Sequence, residues 1–396
     1  MKRTYITTFL TCIAVLCLFF GISRTRNISG AMSEITVGFI YESDESAPYS
    51  YNFSRAAVLL KEELRDSVNI ETRSNVPDDA IEDTLQELSL KGCSIIFTNC
   101  HSENISTLAA EYPGIQICQI SDMVVPPTEY PDNYHTFNSE IYQARYVSGI
   151  AAGLKLQELI DQGVITKEEA VVGYVGAYPA SSVISGYTAF LVGVRSIVPE
   201  AVMKVSYTHT WSSYMKEKSC AQELIEDGCV VLSHHSDTIG VAVACEEAAA
   251  ERPVIFIGCN KSYQDIAPTA TLLSIRTNWV PYMIDAVTAV MNHQTIESRV
   301  KAKVHGKNDM SAGFAENALD ILDLNRAADK MLRVIDDSIK NLLDHPEIAY
   351  QGPYTGMNPE EPSDWITLEK GYIENQDSSA PSFHYVLEDV IQIVRK

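Results

Sequence analysis

Two adjacent histidines and an aspartate stand together in the run Ser233-His234-His235-Ser236-Asp237-Thr238. Such a run could transfer a proton or hold a metal ion. Its spacing argues otherwise. It follows the apolar, strand-like Cys229–Leu232, and successive side chains on a strand point to opposite faces. His234 and His235 therefore cannot both serve one site while the strand continues. A polar loop at a strand end is the plainer reading. His and Cys never recur at zinc-ligand spacing. The chain has no P-loop, GxSxG, HExxH or Rossmann glycine fingerprint. No catalytic residue, cofactor or metal is expected.

The other candidates have the chemistry of binding. Glu42 opens a polar loop that runs to Pro48, and Tyr49 and Tyr51 follow it. An aromatic ring there can stack on a flat ligand, or it can pack the entry of a helix. Trp211, in His209-Thr210-Trp211-Ser212, has little apolar company nearby, which suits the wall of a cleft. Asn260 and Asn278 follow strand-like runs and can donate and accept at once. Asn278 is equally placed to cap the next helix. Asp122 could accept from a ribose hydroxyl or close a turn. Arg276 could meet an anion or pair with one of the chain's many carboxylates. Trp279 reads as core.

The elements that must position these residues start twice. Val37–Tyr41, VGFIY, leads through a loop into a helical pattern near Asn52–Arg65. Val172–Tyr178, VGYVGAY, does the same into Val183–Val198. Alternating strand and helix patterns imply parallel sheets. Two such starts imply two α/β lobes, with the carboxyl ends of their strands facing a shared cleft. The expected division is residues 1–31 as a targeting segment, 32–138 as lobe one with a return over about 301–343, 139–300 as lobe two with hinge crossovers, and 344–396 as a C-terminal strap. Helix Glu140–Leu159 is rich in Gly and Ala, which suits close helix packing near the junction of the lobes.

Composition narrows the function classes. A 46% apolar chain of 396 residues can fill two cores. The net charge is −22, and the four cations of residues 1–31 leave the rest more acidic still. That excludes nonspecific attraction to nucleic acid or to an anionic membrane surface. Lys2 and Arg3 precede the apolar stretch Ile6–Ile22, the pattern of an export signal. Ser29-Gly30-Ala31 offers small residues for cleavage, whereas Cys12 and Cys17 match a lipid-attachment site poorly. Cleaved signal, lipid anchor and retained helix are the three possible outcomes. Seven cysteines lie beyond this segment, an odd number with no CxxC. They read as buried thiols, with a Cys93–Cys100 disulfide as the alternative.

A family resemblance emerges from longer runs. Phe137-Asn138-Ser139-Glu140-Ile141-Tyr142-Gln143-Ala144-Arg145-Tyr146 through Gly149 resembles the basic membrane protein family of substrate-binding lipoproteins of ABC transporters. So do Val172-Gly173-Tyr174, Ile184-Ser185-Gly186-Tyr187, Gly193-Val194-Arg195-Ser196, Pro199-Glu200-Ala201, Ala221-Gln222-Glu223-Leu224-Ile225, His235-Ser236-Asp237-Thr238, Asn278-Trp279 and Pro281-Tyr282. The resemblance covers about residues 35–300. It implies a type I periplasmic-binding-like architecture, two doubly wound parallel-sheet lobes with a ligand cleft between them. It also implies a monomeric extracytoplasmic protein that hands a small polar, nucleoside-like ligand to a membrane ABC permease. His235 and Asp237 fall where the family places a ligand-facing polar group. The pocket departs from the family more than the scaffold does. The first loop reads Glu42-Ser43-Asp44-Glu45-Ser46-Ala47-Pro48, and Thr277 stands near where nucleoside-binding members carry a lysine. A surface-attached sensor and an extracytoplasmic nucleoside hydrolase are the rival expectations.

Overall fold

Two seven-stranded sheets organise the chain, and the two echoing runs occupy the same place in each. A computed structural model describes residues 34–120, 130–324 and 329–395. Asp122 lies outside the described residues. In the first sheet the spatial order is Lys303–His305, Asp309–Ala312, Tyr134–Ser139, Gln116–Ile120, Cys93–Thr98, Ile35–Ile40 and Val68–Arg73. In the second it is Leu319–Leu322, Thr271–Thr277, Ile255–Cys259, Val231–His235, Val171–Gly176, Val202–Tyr207 and Ile391–Arg395. Each sheet is parallel except where its outermost strand, Lys303–His305 or Leu319–Leu322, joins antiparallel.

The inner strands are buried on both faces, as parallel strands covered by helices must be. Val37, Phe39, Val172, Tyr174 and Val175 are all inaccessible. Strand order reverses at the first strand of each lobe. Ile35–Ile40 lies between Cys93–Thr98 and Val68–Arg73, and Val171–Gly176 between Val231–His235 and Val202–Tyr207. Crevices for ligands open at such reversals. The fold is thus the expected pair of doubly wound lobes.

The chain crosses between lobes near Ser139, Thr277 and Gly313, and hydrogen bonds tie these crossovers together. Glu140 N–H donates to Ala312 O and Asn278 N–H to Ala318 O, both at 2.8 Å. The hydroxyls of Ser139 and Thr277 lie 2.6 Å apart.

Two expected assignments change. Helix Val280–Met291, expected in lobe two, buries Met283, Ala286 and Val287 among Phe39 and Phe53 of lobe one. Helix Asp329–Asp344, expected against lobe one, instead places Ile335 and Leu342 in the lobe-two core. Amphipathic spacing shows that a helix has an apolar face, not which sheet covers it.

The C-terminal segment is held at both lobes. Ser379 N–H and Ser378 Oγ donate to Asp309 Oδ2 of the first sheet at 2.8 and 3.2 Å. Phe383 and Leu387 enter the lobe-two core, and Ile391–Arg395 extends the second sheet beside Val202–Tyr207. All seven cysteines of the described residues are free and buried, so Cys93 and Cys100 form no disulfide. Among the described residues no helix is long and apolar enough to cross a membrane.

Candidate functional site

The carboxyl ends of both sheets converge on a cavity of about 100 Å³. Lobe one supplies Glu42 and Tyr49 after its first strand, His101 after Cys93–Thr98, and Asn138 and Ser139 at the end of Tyr134–Ser139. Lobe two supplies Ser182, Trp211, His235, Ser236, Asp237, Cys259 and Asn260. The crossovers contribute Ile141, Arg145, Thr277 and Trp279, and the C-terminal segment contributes Pro381.

Tyr49 is set by its helix. Pro48 fits the first helical position of Pro48–Leu64, because its fixed φ and missing N–H cost nothing there. The N–H of Tyr49, in the first turn of that helix, reaches across the cleft and donates to Asp237 Oδ1 at 2.7 Å. Asp237 N–H donates to the Trp211 carbonyl at 2.8 Å, which fixes the tryptophan loop to the same residue. Trp211 is 38% exposed despite its size, and its ring stands against His235 and Tyr178. His101 Nδ1 lies 3.0 Å from Glu42 Oε2, with its ring beside that of Tyr49. Asn260 holds φ at 70°, a left-handed conformation that Asn tolerates better than most residues.

Burial dominates the electrostatics. Loss of solvent raises the Asp237 carboxyl to about 7, with Glu42 and Glu217 adding repulsion and the Tyr49 N–H opposing. The folded protein therefore keeps a proton that the unfolded chain has lost between about pH 4 and pH 7. Stability falls as pH rises through that window. Burial raises the Glu374 carboxyl to about 7 as well, so melting temperature should drop from pH 5.5 to pH 8, and Asp237→Asn should make the profile measured by thermal denaturation shallower. An unchanged slope in the variant would assign the dependence elsewhere.

The strand alternation expected for the histidine pair is observed. His234 is buried and stacks on Phe256 at 5.6 Å between ring centres, while His235 lines the cavity. Burial and the nearby Arg145 charge drive His234 down to about 3, so it stays neutral. Burial raises the Cys259 thiol, which removes its nucleophilic form. Among the described residues no cluster of three or more His, Cys, Asp or Glu could hold a metal ion.

Six of the ten sequence candidates line the cavity: Glu42, Tyr49, Trp211, His235, Asp237 and Asn260. Three do not, each for a local reason. Tyr51 lies two residues beyond Tyr49 on one helix, and residues at that spacing face apart. Its ring instead meets the Lys261 ammonium at 5.1 Å. Arg276 sits opposite Asp320 in the antiparallel ladder, and its Nε and Nη2 both donate to Asp320 Oδ2, at 2.8 and 2.6 Å. Asn278 serves the hinge: its Nδ2 donates to Asn317 O at 3.1 Å, and its Oδ1 accepts from Val280 N–H.

Several lining residues escaped the sequence reading. His101 follows the strand Cys93–Thr98, and Asn138 and Ser139 close the strand Tyr134–Ser139; strand ends pointed to the site in lobe two and do so here as well. Arg145 carried its own signal, a cation in the Gly- and Ala-rich first half of a helix whose other cation, Lys155, stands ten residues further on. Trp279 is core, 2% exposed, and also borders the cavity. Pro381 had no signal, because only tertiary structure brings the C-terminal segment to the cleft.

Comparison with known proteins agrees with this architecture. The family model for ABC transporter substrate-binding proteins of the PnrA-like type matches residues 35–317. A purine-binding protein of Brucella abortus is 25% identical over 266 residues, 66% of this chain and 70% of that protein. An ABC transporter solute-binding protein of Conexibacter woesei superposes with a TM-score of 0.60 at 16% identity, covering 79% of this chain and 97% of the other. A transcriptional activator of the comK gene from Bacillus halodurans does so with the same TM-score and identity over 78% and 98%. At such identities the superpositions establish the fold alone. With two doubly wound lobes around one cavity and a family match from the first strand through the last crossover, this chain belongs to the PnrA-like family of ABC transporter substrate-binding proteins.

Proposed function

We propose that the cavity takes a purine-type ligand, a base or its nucleoside, and that the monomeric protein delivers it to an ABC permease after export. A substrate-binding protein of this class works outside the cytoplasm and binds a small molecule for uptake. The carrying observation is that Tyr49 and Trp211 approach one cavity from opposite lobes, with Asp237 bonded to the backbone of both. Aromatic faces suit a planar ring, and Asn138, Asn260 and Asp237 suit its polar edge. The Brucella relative's description as purine-binding points the same way. The basic, then apolar, amino terminus supports export.

The same geometry supports binding without catalysis. A hydrolase would need a positioned base beside a nucleophile or an activated water. His234 is packed in the core and held neutral, and the Cys259 thiol is held protonated.

A thermal-shift panel of purine bases, purine nucleosides and other small metabolites tests the proposal. A saturating purine should raise the melting temperature, because it binds the native state alone. Chromatography of the incubated nucleoside should recover it intact. No shift with any purine would overturn the ligand class, and released base would overturn the receptor reading.

A further inference from the structure

Arg145 is fully buried and borders the cavity. Its Nη1 donates to Ser233 Oγ at 3.3 Å and its Nη2 to Cys259 Sγ at 3.1 Å, while Nε has no partner. None of the ion pairs among the described residues includes it. A guanidinium offers five N–H donors in a planar fork. Two are used here, on a hydroxyl and a weakly accepting sulfur. The Tyr174 ring, 5.6 Å from the guanidinium, adds a cation–π contact but no lone pair for the remaining N–H groups. A buried cation left this way is costly unless another group completes it. The cavity is where such a group can arrive.

The opposite chemistry lines the same cavity. Asp237 and Glu42 are acceptors there, and the Tyr49 N–H takes only one of the Asp237 lone-pair sites. Cys259 senses both the Arg145 and the Asp237 charge. The Asp237 carboxyl itself is governed by burial, Tyr49, Glu42 and Glu217. The lining offers one ligand both a donor group, Arg145, and an acceptor group, Asp237 with Glu42. A ligand carboxylate would satisfy Arg145 but would add an anion to a small cavity that already holds two carboxyl groups.

We propose that Arg145 selects 6-oxopurines, reading the O6 and N7 acceptor pair while the adjoining N1–H edge faces the Asp237 side of the cavity. Arginine pairs with this edge of guanine through two parallel hydrogen bonds. Adenine carries an amino donor where the oxo group would be, so it sets N–H against N–H. The proposal rests on the purine reading above and adds to it a preferred subclass and a residue that enforces it.

Isothermal titration of the full exported chain with hypoxanthine, adenine and 7-deazahypoxanthine tests it. Hypoxanthine should bind at least about 10-fold more tightly than adenine, and removal of N7 should cost a similar factor. Arg145→Gln should bring hypoxanthine and adenine to within a few-fold of each other. Where that variant fails to fold, the ligand series decides alone. Equal or tighter binding of adenine, or full affinity for the 7-deaza compound, overturns the role of Arg145 and leaves the purine reading standing. Absence of binding by every purine removes both.

Discussion

Replacing Gly149 with Ala is expected to destabilise the protein by about 3 kcal/mol or more, although Ala is the better helix former by about 1 kcal/mol. Gly149 lies in helix Ile141–Asp161, where a Cβ would overlap the carbonyl of Phe190 in helix Ser181–Arg195. Gly193 faces the Tyr146 carbonyl in the reciprocal way. The two backbones touch, so no rotamer change can relieve the added atom. Neither helix can retreat freely, because Val147, Ala151, Phe190 and Val194 around the contact are all inaccessible. The measurement is chemical or thermal denaturation beside Gly114→Ala, a position where a Cβ meets nothing within 4 Å. The control should melt within a degree or two of the parent and Gly149→Ala well below it. Equal melting of the two variants would mean that the helices separate at little cost. Because Ile141 and Arg145 of this helix line the cavity, loss of ligand affinity should accompany the loss of stability.

Tyr49→Ala and Trp211→Ala should each weaken binding of a purine ligand by about 1–3 kcal/mol, the range for a base stacked on an aromatic ring. Tyr49 comes from lobe one and Trp211 from lobe two, so both rings leave water with the ligand only when the lobes are closed. Either truncation removes one wall. The double variant should cost less than the sum of the single ones, because loss of the first wall already weakens closure. Stability should change little for Trp211, which is 38% exposed. Titration calorimetry and thermal denaturation of the three variants separate the outcomes. Unchanged affinity in both single variants would defeat the stacking model. A large stability loss with normal affinity would return the two rings to a packing role.

Local chemistry made much of the scaffold legible. The runs VGFIY and VGYVGAY are short, apolar and β-branched, and each is followed by a polar loop and a helical period. Those are backbone and burial preferences of neighbouring residues, and they recur at the first strand of each lobe. The same logic placed Glu42, Tyr49, His235, Asp237 and Asn260 at strand ends, and strand alternation separated His234 from His235. Tyr51 could have been excluded on the same terms, since a helix beginning at Pro48 turns it away from Tyr49.

What the sequence alone left open depends on contacts between distant segments. Arg276 is neutralised by Asp320 because an antiparallel strand places that carboxylate opposite it. Asn278 is committed to the hinge by a carbonyl 39 residues away. Helices Val280–Met291 and Asp329–Asp344 each show an apolar face, yet either lobe could have covered it. Arg145 is a cation in any reading of the chain. Only packing against Ser233, Cys259 and the Tyr174 ring, with no ion pair to it among the described residues, makes it a buried charge at the edge of a cavity. Pro381 reaches the same cavity because the C-terminal segment is fastened at Asp309 in one lobe and at Phe383 in the other. Strand and helix preferences act over a few residues, so the sequence by itself determined the two lobes and the loops that end their strands. Charge compensation and burial are sums over whatever the fold brings together, so the tertiary structure decided which of those side chains face the ligand.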